Sequence, residues 1–196
     1  MKPLSRNPVL ALVVLGALSG ALGTLAPGWG HGDAPRLGIY MVLTGIWFGL
    51  VVAFGVWHFA SRSLGAVATT IAATWFGWQV AVNLAMQITE NWLKTAALSD
   101  SVAMSVAGVS AGAVGAVLTW AGAAASAPML RQTAVAVTVI STGALLGLLL
   151  PWTNQFDNPA ILLVPWQAGV AAVIGYGLTR REAIGPPSAI YRAHRT

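Results

Sequence analysis

The sequence predicts an all-α protein, a single bundle of six transmembrane helices with both termini in the cytoplasm. Three observations predict this class: 57% of the 196 residues are hydrophobic, 8% are charged, and the apolar residues fall in long runs. A soluble domain is about one quarter charged, and a helix needs about 20 apolar residues to cross a bilayer. The lipid bilayer is therefore the first partner that the sequence predicts.

The apolar runs leave little of the chain outside the membrane. They cover about residues 9–26, 38–58, 64–88, 102–125, 132–150 and 160–178, and residues 179–196 form a basic cytoplasmic tail. The first run also resembles a secretory signal peptide, but it is longer than the apolar core of about 7–15 residues that such peptides have, so we count it as a span. Residues 1–196 are thus predicted to be one transmembrane domain, and the function must lie in the bundle.

The positions of lysine and arginine predict the orientation. If the N-terminus is cytoplasmic, most basic residues lie inside, namely Lys2, Arg6, Arg62, Arg131, Arg180, Arg181, Arg192 and Arg195. Arg36 and Lys94 lie outside, as the positive-inside rule tolerates. This asymmetry accounts for the net charge of +5, so no nucleic-acid partner is predicted. The predicted location is a cell membrane crossed several times, such as a bacterial inner membrane.

Two loops share a pattern of Pro, five residues, Asp, one residue and Pro. They are PGWGHGDAPR at residues 27–36 and PWTNQFDNPA at residues 151–160. Each is predicted to be the outer turn of a helical hairpin, because the first Pro ends one helix and the second begins the next. Asp33 and Asp157 can accept the free N–H groups of the new helix or belong to a functional site. The sequence leaves both interpretations open.

Three pairs of small residues at a spacing of four predict close helix packing. They are Gly16 with Gly20, Gly45 with Gly49, and Gly108 with Gly112. Small residues at this spacing let helix backbones approach each other in lipid. The same faces also favour a homo-oligomer.

Polar residues in the third run form an amide stripe of Gln79, Asn83 and Gln87 on one helical face. Amides in hydrocarbon must face protein or water, so they either bond to neighbouring helices or line a cavity. The cavity interpretation predicts a polar pocket that opens outward. Its candidate substrate-binding or lining residues are Gln79, Asn83, Gln87, Gln167, Trp75, Trp78, Trp166, Asp33, Asp157 and Glu90.

The sequence assigns no catalytic residue and no cofactor. His31, His58 and His194 fall in different places of the predicted topology and form no pair across the bilayer. The chain has no cysteine, which excludes thiolate ligands and disulfides. No metal site is predicted.

Residues 16–87 resemble a family of small membrane enzymes typified by hydroxylaminobenzene mutase and styrene oxide isomerase. The resemblance rests on PRLGIYMVLTGIWFGLVVAFG at residues 35–55, where Pro35, Arg36, Gly38, Gly45 and Gly49 match. It implies an intramembrane isomerase or mutase for a small aromatic substrate. Val42 stands where that family has a histidine that ligates haem in the isomerase, and Phe48 stands where it has asparagine. Haem binding is therefore not carried over from the resemblance, and the family's four spans leave the last two unmatched.

Three functions follow as hypotheses. The first is an intramembrane isomerase or mutase for a small lipid-soluble molecule. The second is a permease or channel for a small solute, suggested by the amide stripe and the paired hairpins. The third is a noncatalytic subunit that packs on a larger membrane complex through its small-residue faces.

Overall fold

In a computed structural model, residues 7–25, 38–93 and 98–180 are described, and within these ranges the chain is helical and has no strand. The helices are α1 (Pro8–Gly23), α2 (Val42–Phe59), α3 (Leu64–Gln87), α4 (Asp100–Ser126), α5 (Thr133–Gly147), α6 (Leu150–Gln155) and α7 (Ala160–Thr179). A π-helical turn, Ile88–Trp92, extends α3, and a 3₁₀ turn, Pro128–Arg131, joins α4 to α5.

Four helical segments of the described chain are long and apolar enough to cross a membrane. They are Val42–Phe59, Asp100–Ser126, Ala160–Thr179 and the segment Thr133–Gln155, which combines α5, a short turn and α6. Helix α1 is shorter, with 16 residues, and α3 has 24 residues but carries the amide stripe. The protein is therefore a membrane-embedded helical bundle, and the count of six spans remains a prediction.

The long helices pack side by side in a closed circuit. Helix α1 packs against α2, α2 against α3, α3 against α4 and α4 against α5. Helix α7 packs against α5 and also along α1. Helix α2 contacts α7 directly as well, so α1 lies on the outside of the α2–α7 seam. The five helices α2, α3, α4, α5 and α7 consequently enclose the middle of the bundle.

The predicted glycine pairs pack against other helices of the same chain. Gly16 and Gly20 face α7, where an added Cβ would lie 2.7 Å from the carbonyl oxygen of Gln167 and 2.5 Å from that of Leu163. Gly45 and Gly49 face α3, and Gly108 and Gly112 face Gly147 and Gly143 of α5 backbone to backbone. These faces are occupied within the bundle, so the predicted homo-oligomer needs another surface.

Charged residues of the described chain separate to opposite ends of the bundle. Glu90, Asp100 and Asp157 lie at the end where α3 finishes and α4 begins, which we call the Glu90 end. Arg62, Arg131 and Arg180 lie at the other, the Arg131 end. There Arg131 donates hydrogen bonds of 2.9 and 3.0 Å to the carbonyl oxygens of Ala124 and Ala125, close to the C-terminus of α4.

The loop between α5 and α7 differs from its predicted form. Pro151 does not end a helix, because α5 ends at Gly147 and Pro151 lies in the first turn of α6. Asp157 is exposed and has a left-handed φ of 47°. Pro159 is the N-cap of α7, and the N–H of Ala160 donates to Asn158 Oδ1 at 3.0 Å and not to Asp157, so the capping interpretation of Asp157 is wrong. Asp33 and the first copy of the pattern lie outside the described residues.

Candidate functional site

A cavity of about 290 Å³ lies in the middle of the bundle. We call it the central cavity. It is bounded by α2, α3, α4, α7 and the α5–α6 junction, with α1 taking no part in its wall. The side chains and glycines that shape it include Phe48, Trp78, Ala81, Ala85, Met86, Met104, Gly108, Ala111, Gly115, Leu163 and Trp166.

The central cavity is elongated along the bundle axis and ends inside the bundle. On α4 its wall runs from Met104 to Thr119, a length of about 22 Å at about 1.5 Å per residue. At one end it reaches half-buried Glu90 and exposed Asn154, and therefore the surface of the bundle. Beyond Thr119, buried apolar residues such as Ala123 and Leu130 fill the Arg131 end.

The sequence produces this space by placing large rings and small residues on facing helices. Trp166 extends from α7 across to Gly115 of α4, where an added Cβ would lie 3.3 Å from its ring, and its Nε1 donates to the carbonyl oxygen of Gly143 at 3.1 Å. Phe48 meets the Trp166 ring edge to face at 5.6 Å. These rings hold α2 and α7 in place, while alanines on α3 and α4 leave the volume between them unfilled.

Two polar groups of the cavity wall are buried without a hydrogen-bond partner. They are Oγ1 of Thr74 and Nε1 of Trp78, one helical turn apart on α3. Thr74 is 1% exposed. The Trp78 side chain lies against Gly45 of α2, where an added Cβ would be 2.9 Å from the Trp78 Cβ. Both atoms are enclosed by protein, so the two residues contribute other atoms, and not these polar ones, to the cavity wall.

Two residues of the amide stripe bind backbone instead of lining the central cavity. Asn83 accepts from the N–H of Gly38 and donates to its carbonyl oxygen, both at 2.9 Å. Gln79 does the same with Tyr40, at 2.9 and 2.8 Å. The two pairs fit because their spacings agree. Gln79 and Asn83, four residues apart on a helix, are separated by about 6 Å, and Gly38 and Tyr40, two residues apart in an extended chain, are separated by about 6.6 Å. We call this arrangement the amide clamp.

The remaining candidate residues are dispersed. Gln87 accepts a hydrogen bond from Asn91 at 2.5 Å and, with Gln79 and Asn83, lines a shallow groove on the outer face of α3. Gln167 is fully buried, outside the central cavity, and its amide has no partner. Trp75 has a buried, unpartnered Nε1 and is not part of the wall. Trp78, Trp166 and Glu90 are part of it.

Sequence reasoning missed most of the cavity wall. Thr74, Ala81, Ala85 and Ala111 carried no signal, because alanine and threonine are ordinary residues of membrane helices. Phe48, which stands where the resembled family has asparagine, is 1% exposed and lines the cavity, whereas Val42 is 38% exposed. Within the described ranges, no group of three or more His, Asp or Glu side chains is placed to hold a metal ion.

The chain matches no protein-family model, no curated protein and no solved structure.

Proposed function

We propose that the protein binds a small, lipid-soluble molecule in the central cavity. The observation that carries this proposal is an apolar, aromatic-walled cavity of about 290 Å³ that reaches one end of a membrane-embedded bundle. Pockets for small molecules are concave, mostly apolar, and contain a few placed polar groups. Glu90 and Asn154 supply such groups at the mouth of the cavity, and bilayer lipid supplies a reservoir of apolar ligand.

The form of the cavity favours binding over a solute pathway. The cavity stops at about the level of Thr119, and the Arg131 end is filled by buried side chains. A solute path needs polar groups or water along its length, whereas this wall is mainly Ala, Gly, Met and aromatic rings. An isomerase or mutase for a small aromatic substrate, which the resemblance implies, is the catalytic form of this proposal, with Glu90 as the carboxylate of the wall.

We further propose that all of the long helices cross the membrane, with the Arg131 end in the cytoplasm. The complete separation of arginines from carboxylates among the described residues supports this orientation. The orientation places the mouth of the cavity, beside Glu90 and Asn154, on the outer side. It also agrees with cytoplasmic termini and with an inner-membrane location in a bacterium.

The binding proposal is tested by filling the cavity. The full-length protein in lipid nanodiscs is titrated with 4-bromo-butylbenzene, whose bromine quenches tryptophan fluorescence, and the saturable part of the quenching is measured. Ala85→Phe places a ring in the cavity and should abolish the saturable part. Ala72→Phe, on the exposed face of the same helix, is the control and should leave it unchanged. Quenching that never saturates in the wild type, or that Ala85→Phe leaves intact, would overturn the proposal.

A further inference from the structure

The mouth of the central cavity carries the charge of its wall. Among the described residues that line the cavity, Glu90 is the one with a charge, and it is half-buried, whereas Asn154 at the same mouth is exposed. We propose that the central cavity selects amphiphilic cations, with an ammonium group held at the Glu90 carboxylate and an apolar body inside the cavity. This proposal rests on the proposed binding function and names its ligand class.

An apolar body alone gives the cavity little selectivity. Lipid tails are about as apolar as the side chains of a membrane protein, so a hydrocarbon gains little when it leaves the bilayer for the cavity. Most of the wall consists of Ala, Gly, Met and aromatic rings, which carry no charge. Discrimination between ligands therefore comes mainly from the polar groups at the mouth.

The polar groups at the mouth offer hydrogen-bond acceptors. The Thr89 hydroxyl donates to the carbonyl oxygen of Ala85 at 3.1 Å, and Asn154 Nδ2 donates to Met104 Sδ at 3.4 Å. The side-chain oxygens of Thr89 and Asn154 can accept hydrogen bonds. Glu90 also interacts with another part of the chain, but a carboxylate has about four acceptor positions and can bind an ammonium group besides that contact.

Charge distinguishes an ammonium group from other donors. A hydroxyl or an amide N–H can donate to the same oxygens, but a hydrogen bond between charged groups is about twice as strong as one between neutral groups. A ligand carboxylate lacks a donor, and the Glu90 carboxylate repels it. An ammonium group supplies three donors and the opposite charge, so it complements the mouth best.

The half-buried position of Glu90 also determines the orientation of the ligand. An ammonium group moved fully into apolar surroundings loses its hydration at a large cost in free energy, whereas at the mouth it keeps part of its water. The apolar body then lies along Ala81, Ala85 and Trp166 towards the inner end of the cavity. The bound ligand therefore has its cationic group at the Glu90 end of the bundle.

The test uses two probes of nearly equal shape, 4-phenylbutylamine, which is charged at neutral pH, and 4-phenyl-1-butanol, which is neutral and also has a donor. Each displaces 4-bromo-butylbenzene from the full-length protein in nanodiscs of zwitterionic lipid, with affinities expressed per mole fraction of probe in the lipid. The wild type should bind the amine roughly fivefold more tightly than the alcohol, as a partly exposed charge pair predicts.

The variant Glu90→Gln removes the charge and keeps the shape of the side chain. It should bring the affinity for the amine to within about twofold of that for the alcohol. Alcohol binding should stay within about twofold of the wild type, which also reports that the variant is folded. Asp100→Asn is the matched control, because Asp100 is an exposed carboxylate at the same end of the bundle and outside the cavity wall. It should change neither affinity.

The outcomes separate this inference from the binding proposal. Equal affinity of the wild type for both probes, or an amine preference that survives Glu90→Gln, would overturn the cation assignment and leave the cavity as an apolar site. An equal loss of the preference in Asp100→Asn would assign it to the surface charge of the Glu90 end and not to the cavity. Weaker binding of both probes to Glu90→Gln would mean that Glu90 has a structural role only. If neither probe displaces the brominated ligand, the proposed binding function itself fails.

Discussion

Asn83→Leu removes one half of the amide clamp and should destabilise the bundle measurably. The leucine side chain is close to asparagine in size, so the main change is the loss of two hydrogen bonds of 2.9 Å to Gly38. A third, of 2.7 Å to the Gln79 carbonyl oxygen, is also lost, but that oxygen keeps its backbone partner in the helix. A typical intramolecular hydrogen bond contributes about 1 kcal/mol net. Gly38 is half-buried, so water can partly replace the lost partners. The free energy of unfolding should therefore fall by about 2 kcal/mol, which is the sum of two net hydrogen-bond contributions. Leaving fully buried polar groups without partners would cost more.

The assay is thermal unfolding of the full-length protein in a mild detergent, followed by circular dichroism. For a chain of this length a loss of about 2 kcal/mol lowers Tm by about 4–8 °C. Gln87→Leu is the matched control, because Gln87 belongs to the same stripe and bonds only to exposed Asn91. It should shift Tm by less than about 2 °C.

A second variant separates hydrogen bonding from packing. Asn83→Asp keeps the acceptor for the Gly38 N–H but faces the Gly38 carbonyl oxygen with a second oxygen, so it should destabilise at least as much as Asn83→Leu. Equal Tm values for Asn83→Leu and Gln87→Leu would refute the clamp. That result would favour the other interpretation of the amide stripe, in which its side chains line a cavity.

Three further expectations follow from the fold. Gly147→Leu should prevent folding or strongly reduce expression, because Gly147 meets Gly108 backbone to backbone, whereas Leu145→Ala on the exposed side of α5 should be expressed normally. Asp157→Gly should leave Tm unchanged or raise it, and Asp157→Val should lower the free energy of unfolding by about 1 kcal/mol and Tm by about 2–4 °C, since φ is left-handed there; equal effects would contradict the backbone assignment. A reporter inserted at Asn154 should be detected outside the cytoplasm and one at Arg131 inside, and a cytoplasmic signal at both would contradict the proposed orientation.

Helix positions were predictable from hydropathy, because the bilayer requires long apolar runs with satisfied backbones. The run at 102–125 lies within α4, and that at 160–178 lies within α7. Close packing at Gly108 and Gly112 was equally predictable, since only small residues permit it. The partner glycines, Gly143 and Gly147, have the same spacing of four residues, so the sequence also contained a signal for the second face of this contact.

The site was less predictable because it is a cavity, a volume that no side chain fills. The amide stripe marked the polar face of α3, and the interpretation that its amides bond to protein describes Gln79 and Asn83 in the structure. Their partner is an extended segment, which no helical periodicity indicates. The cavity lies on a different face, which carries small residues such as Ala81 and Ala85. A sequence states which residues are present. The size of the cavity depends on where the Trp78 and Trp166 side chains lie in the folded bundle, and the sequence does not give those positions.

The contact between α1 and α7 has a consequence for how the bundle is made. Chains are synthesised from the N-terminus, so α1 is the first of the described helices to be made and α7 is the last. Until then Gly16 and Gly20 lack the backbone that they pack against, and α1 has only its contact with α2. Closing such a long loop carries an entropic cost that grows slowly with its length. Assembly is therefore expected to finish at this seam, and an incomplete chain leaves α1 open to capture by other membrane helices or by a chaperone.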